Sequence, residues 1–404
     1  MTRGCSPDAV TAALPAIEKL LPNPHWARLP LFDPKGWRTM AFGEFAESVN
    51  ERVEPSTAAE DIYVGLDDLD SGSLHVRRWG KGSDVIGTKL RFRKGDIIFG
   101  RRRAYQRKLA LAEMDGICSA HAMVVRAKSA LVLPEFLPFL MMSDRFMNRA
   151  VEISVGSLSP TVNWTTLKHE PFTLPPLDQQ RRIAEILWAV DEVEQMQGKL
   201  LSEVVAAQEA WFEDVLSGSE KQQIQVSDLG QIVTGTTPKT SETAYYKPPE
   251  CLFVSPADIS EIRYVTGTEK RISRTGLDTG RPIPRNAVMV VCIGSTIGKV
   301  AMASERCLTN QQINSVVCKS NHNPLVVYFA LRRQQKLFRQ VASCTAVPIL
   351  NKGNFAALTI PFPKNGAEEA IAERLLEFER VTESVKASGS ASQNLKTELI
   401  NTLL

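Results

Sequence analysis

The chain has 404 residues, 43% of them hydrophobic and 23% charged, which excludes a disordered polar tract and leaves room for more than one core. A formal net charge of +3 is compatible with a nucleic-acid partner without demanding one, so local clustering has to decide. Seven cysteines (Cys5, Cys118, Cys251, Cys292, Cys307, Cys318, Cys344) with no CxxC pair suggest neither a zinc ribbon nor a disulfide framework, and no stretch approaches the roughly 20 apolar residues of a membrane helix, so a cytoplasmic protein is expected.

Residues 1–36 form an extension without the apolar run of a signal peptide. From 37 to 176, β-branched and aromatic runs at Asp61–Gly65, Gly95–Gly100 and Ala122–Val125 predict strands, and Pro134–Val151 predicts a helix. Pro175 and Pro176 close this block. A long helix follows over 177–217, with Asp178 as its N-cap and apolar residues spaced three and four apart: Ile183, Ile186, Val190, Val193, Leu200, Val204, Ala207 and Trp211. The stretch 218–364 repeats the first pattern, with strands at Cys251–Val254, Ala287–Cys292 and Ser315–Val317 and a helix over Pro324–Val341. Residues 365–404 predict a second long helix with a matching seam at Ile371, Leu375, Phe378, Val381, Val385, Leu395 and Leu399. Its middle, Ala387–Ser392, is a poor helix former and is expected to kink or fray. Strands followed by one helix in each block argue for α+β domains rather than alternating βαβ units.

The two halves are one pattern written twice. Ile183-Ala184-Glu185 and Ile371-Ala372-Glu373 stand 188 residues apart, and the same offset aligns Pro160–Asn163 with Pro348–Asn351 and Leu174-Pro175 with Phe362-Pro363. Upstream the offset drifts to 191, where Lys108–Ala112 meets Lys299–Ala303, as small loop insertions would produce. Two amphipathic helices of equal length can bury each other as an antiparallel coiled coil; packing of each helix on its own block is the competing arrangement.

Between Arg91 and Lys108 lie eight basic residues and the single acid Asp96. Within this run Arg101, Arg102, Arg103, Arg107 and Lys108, with Tyr105 among them, are candidate DNA contacts, because arginine pairs with guanine edges and a tyrosine can stack or bond a phosphate. A solvated surface hairpin is the bland alternative. The second block has a different loop at this place, Gly294–Lys299, and an amide-rich run, Thr309–Asn314. Ser295, Thr296, Lys299, Gln311 and Gln312 are its candidate contacts, amides being the partners of adenine. Arg332, Arg333, Lys336 and Arg339 make a separate basic face.

Catalytic patterns fail. Gly294–Lys299 has three residues between its glycines and Val300 after the lysine, where a phosphate loop needs four and a hydroxyl residue. The five histidines show no metal spacing, and no nuclease-like carboxylate set is complete. The chain reads as a recogniser, with no catalytic residues and no metal.

Leu174–Leu187 (LPPLDQQRRIAEIL), with Val155–Asn163, its counterpart Ser343–Asn351 and the Gly294–Lys299 loop, resembles the specificity subunit of type I restriction-modification enzymes over about residues 37–404. The resemblance implies two target-recognition domains (37–176 and 218–364), each reading one half of a split DNA sequence, with the paired helices (177–217 and 365–404) fixing the gap. It implies that the helices, through residues such as Ile183, Ile186, Val190, Val193, Ile371, Leu375 and Phe378, dock methyltransferase subunits, two of them, which bind S-adenosylmethionine. The resemblance also implies a translocating restriction subunit as a further partner. The alternative is a repeat-built protein-binding scaffold of a related phage-defence complex that reads no sequence.

Overall fold

The computed structural model describes residues 36–58, 61–218, 221–342, 348–364 and 366–404. The extension before residue 36 and Cys344 therefore lie outside the described residues. The described residues divide into two compact units, one reaching from residue 36 to 196 with 390–404, the other within 197–389.

In unit 1 an antiparallel sheet runs in the order Ala46–Val49, Met123–Ala127, Ile97–Phe99, Leu109–Leu111. The run Ile97-Ile98-Phe99 is apolar without alternation because both its faces are covered. Ile97 and Phe99 pack on the helices Leu137–Met142 and Asp144–Glu152 with Phe136, Phe139 and Phe146. Ile98 and Val124 face the other way, against Val64, Leu90 and Phe92 of a second sheet. That sheet has the order Arg52–Val53, Lys89–Phe92, Gly116–Cys118, Ile62–Val64, Gly80–Lys81. A ribbon of Arg38–Ala41 against Pro171–Leu174 closes the block.

Unit 2 repeats the plan. Its main sheet runs Gly230–Thr234, Ile313–Cys318, Val288–Val291, Val300–Ala303, Tyr264–Val265, and its closing ribbon pairs Lys221–Gln225 with Thr359–Pro363. The strand Val288–Val291 again serves two cores, Val288 and Val290 on the helix side, Met289 and Val291 on the other.

The first long helix runs from Leu177 to Ser217 and the second from Glu368 to Leu403. They pair antiparallel: along one helix Asp191, Gln197 and Trp211 meet, in turn, Lys396, Ser388 and Phe378 of the other. The result is two tandem α+β domains and an antiparallel coiled coil. Ile183, Ala184, Leu187 and Ile400 complete the core of unit 1; Phe212, Leu216, Ile371, Ala372 and Leu375 complete that of unit 2.

Three local expectations are corrected. The helix continues through Ala387–Ser392, since packing overrides weak propensity there: Gln197 Nε2 donates to Ser388 Oγ at 2.7 Å. Asp178 is not an N-cap but lies in the first turn, and Gln180 does the local tying instead, donating to the carbonyls of Pro175 (2.9 Å) and Leu131 (3.0 Å). Each single helix expected within a block is two. In unit 1 the break falls at Ser143, whose Oγ accepts from Phe146 N and caps the next helix; in unit 2 Pro324–Arg332 and Gln335–Val341 are separate.

Candidate nucleic-acid interface

In unit 1 the loop between Ile97–Phe99 and Leu109–Leu111 carries the arginines. It is pinned at its base by Gly100 N donating to Lys108 O (2.8 Å), and on its flank by Val162 N to Arg101 O (3.0 Å) and Arg103 N to Pro160 O (2.7 Å). The pinning segment is a tight hairpin closed by reciprocal hydrogen bonds between Val155 and Thr161, and Leu158 at its tip is 92% exposed.

Unit 2 reproduces these bonds: Val291 N to Lys299 O (2.9 Å), Leu350 N to Cys292 O (2.8 Å) and Gly294 N to Pro348 O (3.1 Å). Isolated bridges match as well, Arg102 with Thr161 and Ile293 with Ile349. The offsets of 191 and 188 read from sequence thus superpose two equivalent loops. One is armed with Arg102-Arg103 and the other with Ile293-Gly294.

The fold sorts the basic run. Arg91 pairs with Glu51 and Arg107 with Asp144, acids brought in from other segments. Arg101 donates from Nη2 to Ala120 O (3.2 Å), and Lys108 from Nζ to Leu66 O (2.9 Å). Asp96, the one acid of the run, is buried and accepts both arms of Arg126 at 2.7 and 2.9 Å, so it serves the scaffold. Arg102 and Arg103 make no side-chain hydrogen bond or ion pair among the described residues, and Tyr105 is 54% exposed beside them. His121 lies near: partial burial, then the charges of Arg102 and Arg101, push its pKa down from the ordinary value and favour a neutral ring.

Of the candidates in unit 2, Ser295 is exposed and Thr296 half-buried on the turn after Gly294. Lys299 turns inward, donating to Ile259 O at 3.2 Å. Gln311 accepts from Thr237 (2.6 Å) and Gln312 from Asn310 (2.9 Å), so both amide oxygens are held and the segments 235–237 and 310–312 are tied at this end of the sheet. Arg332 and Arg333, expected as a basic face, are paired with Glu261 and Glu213. On the helices Ile183, Ile371 and Leu375 are buried, Ile186, Val190 and Phe378 half-buried, and Val193 is exposed.

Sequence reasoning missed the neutralising acids Glu51 and Asp144, because neither lies in the basic run. Among the described residues no cluster of histidine, cysteine, aspartate and glutamate could hold a metal ion, and no helix is long and apolar enough to cross a membrane.

The comparisons agree with one another. The family model of the type I restriction modification DNA specificity domain matches twice, over residues 34–205 and 218–389. The HindI specificity subunit of Haemophilus influenzae is 21% identical over 415 residues, covering 81% of this chain and 90% of its own. The EcoDI specificity subunit of Escherichia coli is 26% identical over 184 residues, 42% of this chain and 39% of its own. A chain solved in a type I R-M system whose assembly and conformational transition were studied aligns with a TM-score of 0.60 at 20% identity, covering 91% of this chain and 97% of that one. The S subunit of the type I restriction-modification system of M. genitalium aligns with 0.55 at 12% identity, covering 91% and 96%. At these identities the two structures show the fold.

Proposed function

The chain belongs to the type I restriction modification DNA specificity family as a non-catalytic DNA-recognition subunit, and from that premise we propose how its two blocks divide the reading of a bipartite target. Block 1 (residues 37–176) presents Arg102, Arg103 and Tyr105 to one half-site, in a loop framed by Arg101, Arg107 and Lys108. Block 2 (218–364) presents Ser295, Thr296, Gln311 and Gln312 to the other, with Lys299 bracing its loop. The observation that carries this reading is the equivalence of two loops held by matching backbone hydrogen bonds and presenting different side chains. Similar scaffolds with divergent tips bind similar objects and discriminate different details.

The paired helices set the number of bases between the half-sites and dock two methyltransferase subunits, which bring S-adenosylmethionine. A restriction and translocation subunit joins that assembly, and the complex works in the cytoplasm. The scaffold alternative, in which the basic loop is incidental, is not favoured by a family match covering both blocks.

The test is to co-express the chain with a methyltransferase subunit of its own system and map adenine methylation in the host genome. Methylation at one split motif, dependent on this chain, is expected; methylation without a motif, or unaffected by the chain's omission, would sink the reading. At the level of binding, Arg102→Ala with Arg103→Ala should lower affinity and flatten its salt dependence by about one to two units of log-log slope, as lost phosphate or groove contacts do. An unchanged slope and affinity would remove both arginines from the interface.

A further inference from the structure

Only three non-glycine residues among those described hold a left-handed backbone: Arg103 (φ 58), Arg107 (φ 52) and Asn286 (φ 67). Asparagine visits this region readily, whereas arginine has no short polar group to offset the clash of Cβ with its own carbonyl. The second copy of the loop shows what the backbone itself calls for. At the positions equivalent to Arg103 and Arg107 it carries Gly294 (φ 97) and Gly298 (φ 90). Ordinary folding would place glycine at both sites.

Arg107 has a structural reason to be there, since its guanidinium pairs with Asp144. Arg103 has none: its side chain is exposed and makes no hydrogen bond or ion pair among the described residues. Space does not oppose a side chain at this site either. A Cβ on Gly294 would meet only Gln312 Nε2, at 3.9 Å, so the conformation alone argues for glycine there. A strained residue with no intramolecular return, at the tip of a basic loop, is kept for what lies outside the molecule.

We propose that Arg103 is the base-reading residue of block 1, pairing through both arms of its guanidinium with O6 and N7 of a guanine in the major groove. The left-handed backbone aims it, and Arg102, extended and bridged to Thr161, stands beside it on the phosphates. This rests on block 1 being a DNA-reading unit. It goes further by naming one residue, one base and a stability cost accepted for reading it.

The experiment compares the wild-type chain with Arg103→Gly and Arg103→Ala, each in complex with the methyltransferase, by motif mapping and by thermal melting. Both variants should accept other bases at one position that is guanine in the wild-type motif, discrimination there falling by roughly 5- to 150-fold. Arg103→Gly should melt no lower than wild type, and above Arg103→Ala, because only glycine relieves the backbone. An unchanged motif in both variants would overturn the proposal, as would a relaxed position that is not guanine. So would an Arg103→Gly complex that melts well below wild type, which would make the arginine structural. If the wild-type complex itself methylates at no split motif, the parent reading has failed, and that outcome is seen before any variant is compared.

Discussion

His75 lies between two carboxylates, its Nε2 2.6 Å from Asp191 and its Nδ1 2.5 Å from Glu113, with the Trp188 ring edge-on. The bond to Asp191 raises the imidazole pKa above its ordinary value, against partial burial and with help from Glu113. Burial would raise the pKa of Asp191, but His75 and Lys396 together outweigh it and hold that carboxyl low. A raised histidine pKa contributes stability that is complete below the unfolded value near 6.5 and is lost as pH rises through the folded one. The urea midpoint of unit 1 is therefore expected to fall in the wild type as pH rises beyond the ordinary histidine value. In His75→Gln it should vary much less over that range; an identical pH dependence in the variant would exclude His75 as its source. Nothing in the sequence singles out His75 from the other four histidines, because its partners come from other elements. The same holds for Asp96 and Arg126. The basic run was legible, being local, while its sorting into paired and free arginines needed Glu51, Asp144 and Asp67 to arrive from elsewhere.

At the scale of elements, the long helices were legible because their apolar spacing and the prolines before them are local signals. Their mutual face was legible only in part. The sequence points to Leu395 as a seam residue, yet Leu395 is 47% exposed and its neighbour Lys396 is 2% exposed, with its ammonium on Asp191 at 3.0 Å and on Glu194. A lysine reads as surface until its acids are known, and a buried ion pair of this kind is by itself weak evidence for stability. The Ser/Gly stretch misled for a related reason, since propensity is a weak prior beside packing. One glycine in each long helix does leave slack. A Cβ at Gly198 would meet nothing within 4 Å, and one at Gly389 only Gln197 Oε1 at 3.9 Å. Gly198→Ala and Gly389→Ala should each stabilise the chain by about 0.5–1 kcal/mol in chemical denaturation. A loss of stability in either would mean that the helix needs flexibility at that point.

Across the whole molecule, the duplication was the most legible feature, and matched hydrogen bonds in the two loops give it a physical content that residue identity alone lacked. Sheet order was not legible. Strands such as Gly80–Lys81 and Tyr264–Val265 are too short to carry a periodic signal, and parallel pairings such as Ile62–Val64 with Gly116–Cys118 depend on distant segments. Modularity leads to a further expectation: replacing residues 37–176 with the corresponding block of a relative should change one half of the methylated motif and leave the other half as it was. A change in both halves would show that the blocks do not read independently.

The completion of unit 1 by residues 390–404 also orders events during synthesis. Ile400 belongs to the same core as Ile183 and Leu187, and Lys396 answers Asp191. Block 1 leaves the ribosome first, yet these contacts become available only after all of 197–389 has been made. Until then the nascent chain carries an open apolar face on the first helix and a buried-type aspartate without its lysine. Block 2, whose parts from both helices lie within 197–389, can close before that moment, so the half that is translated second is the half that can finish folding first.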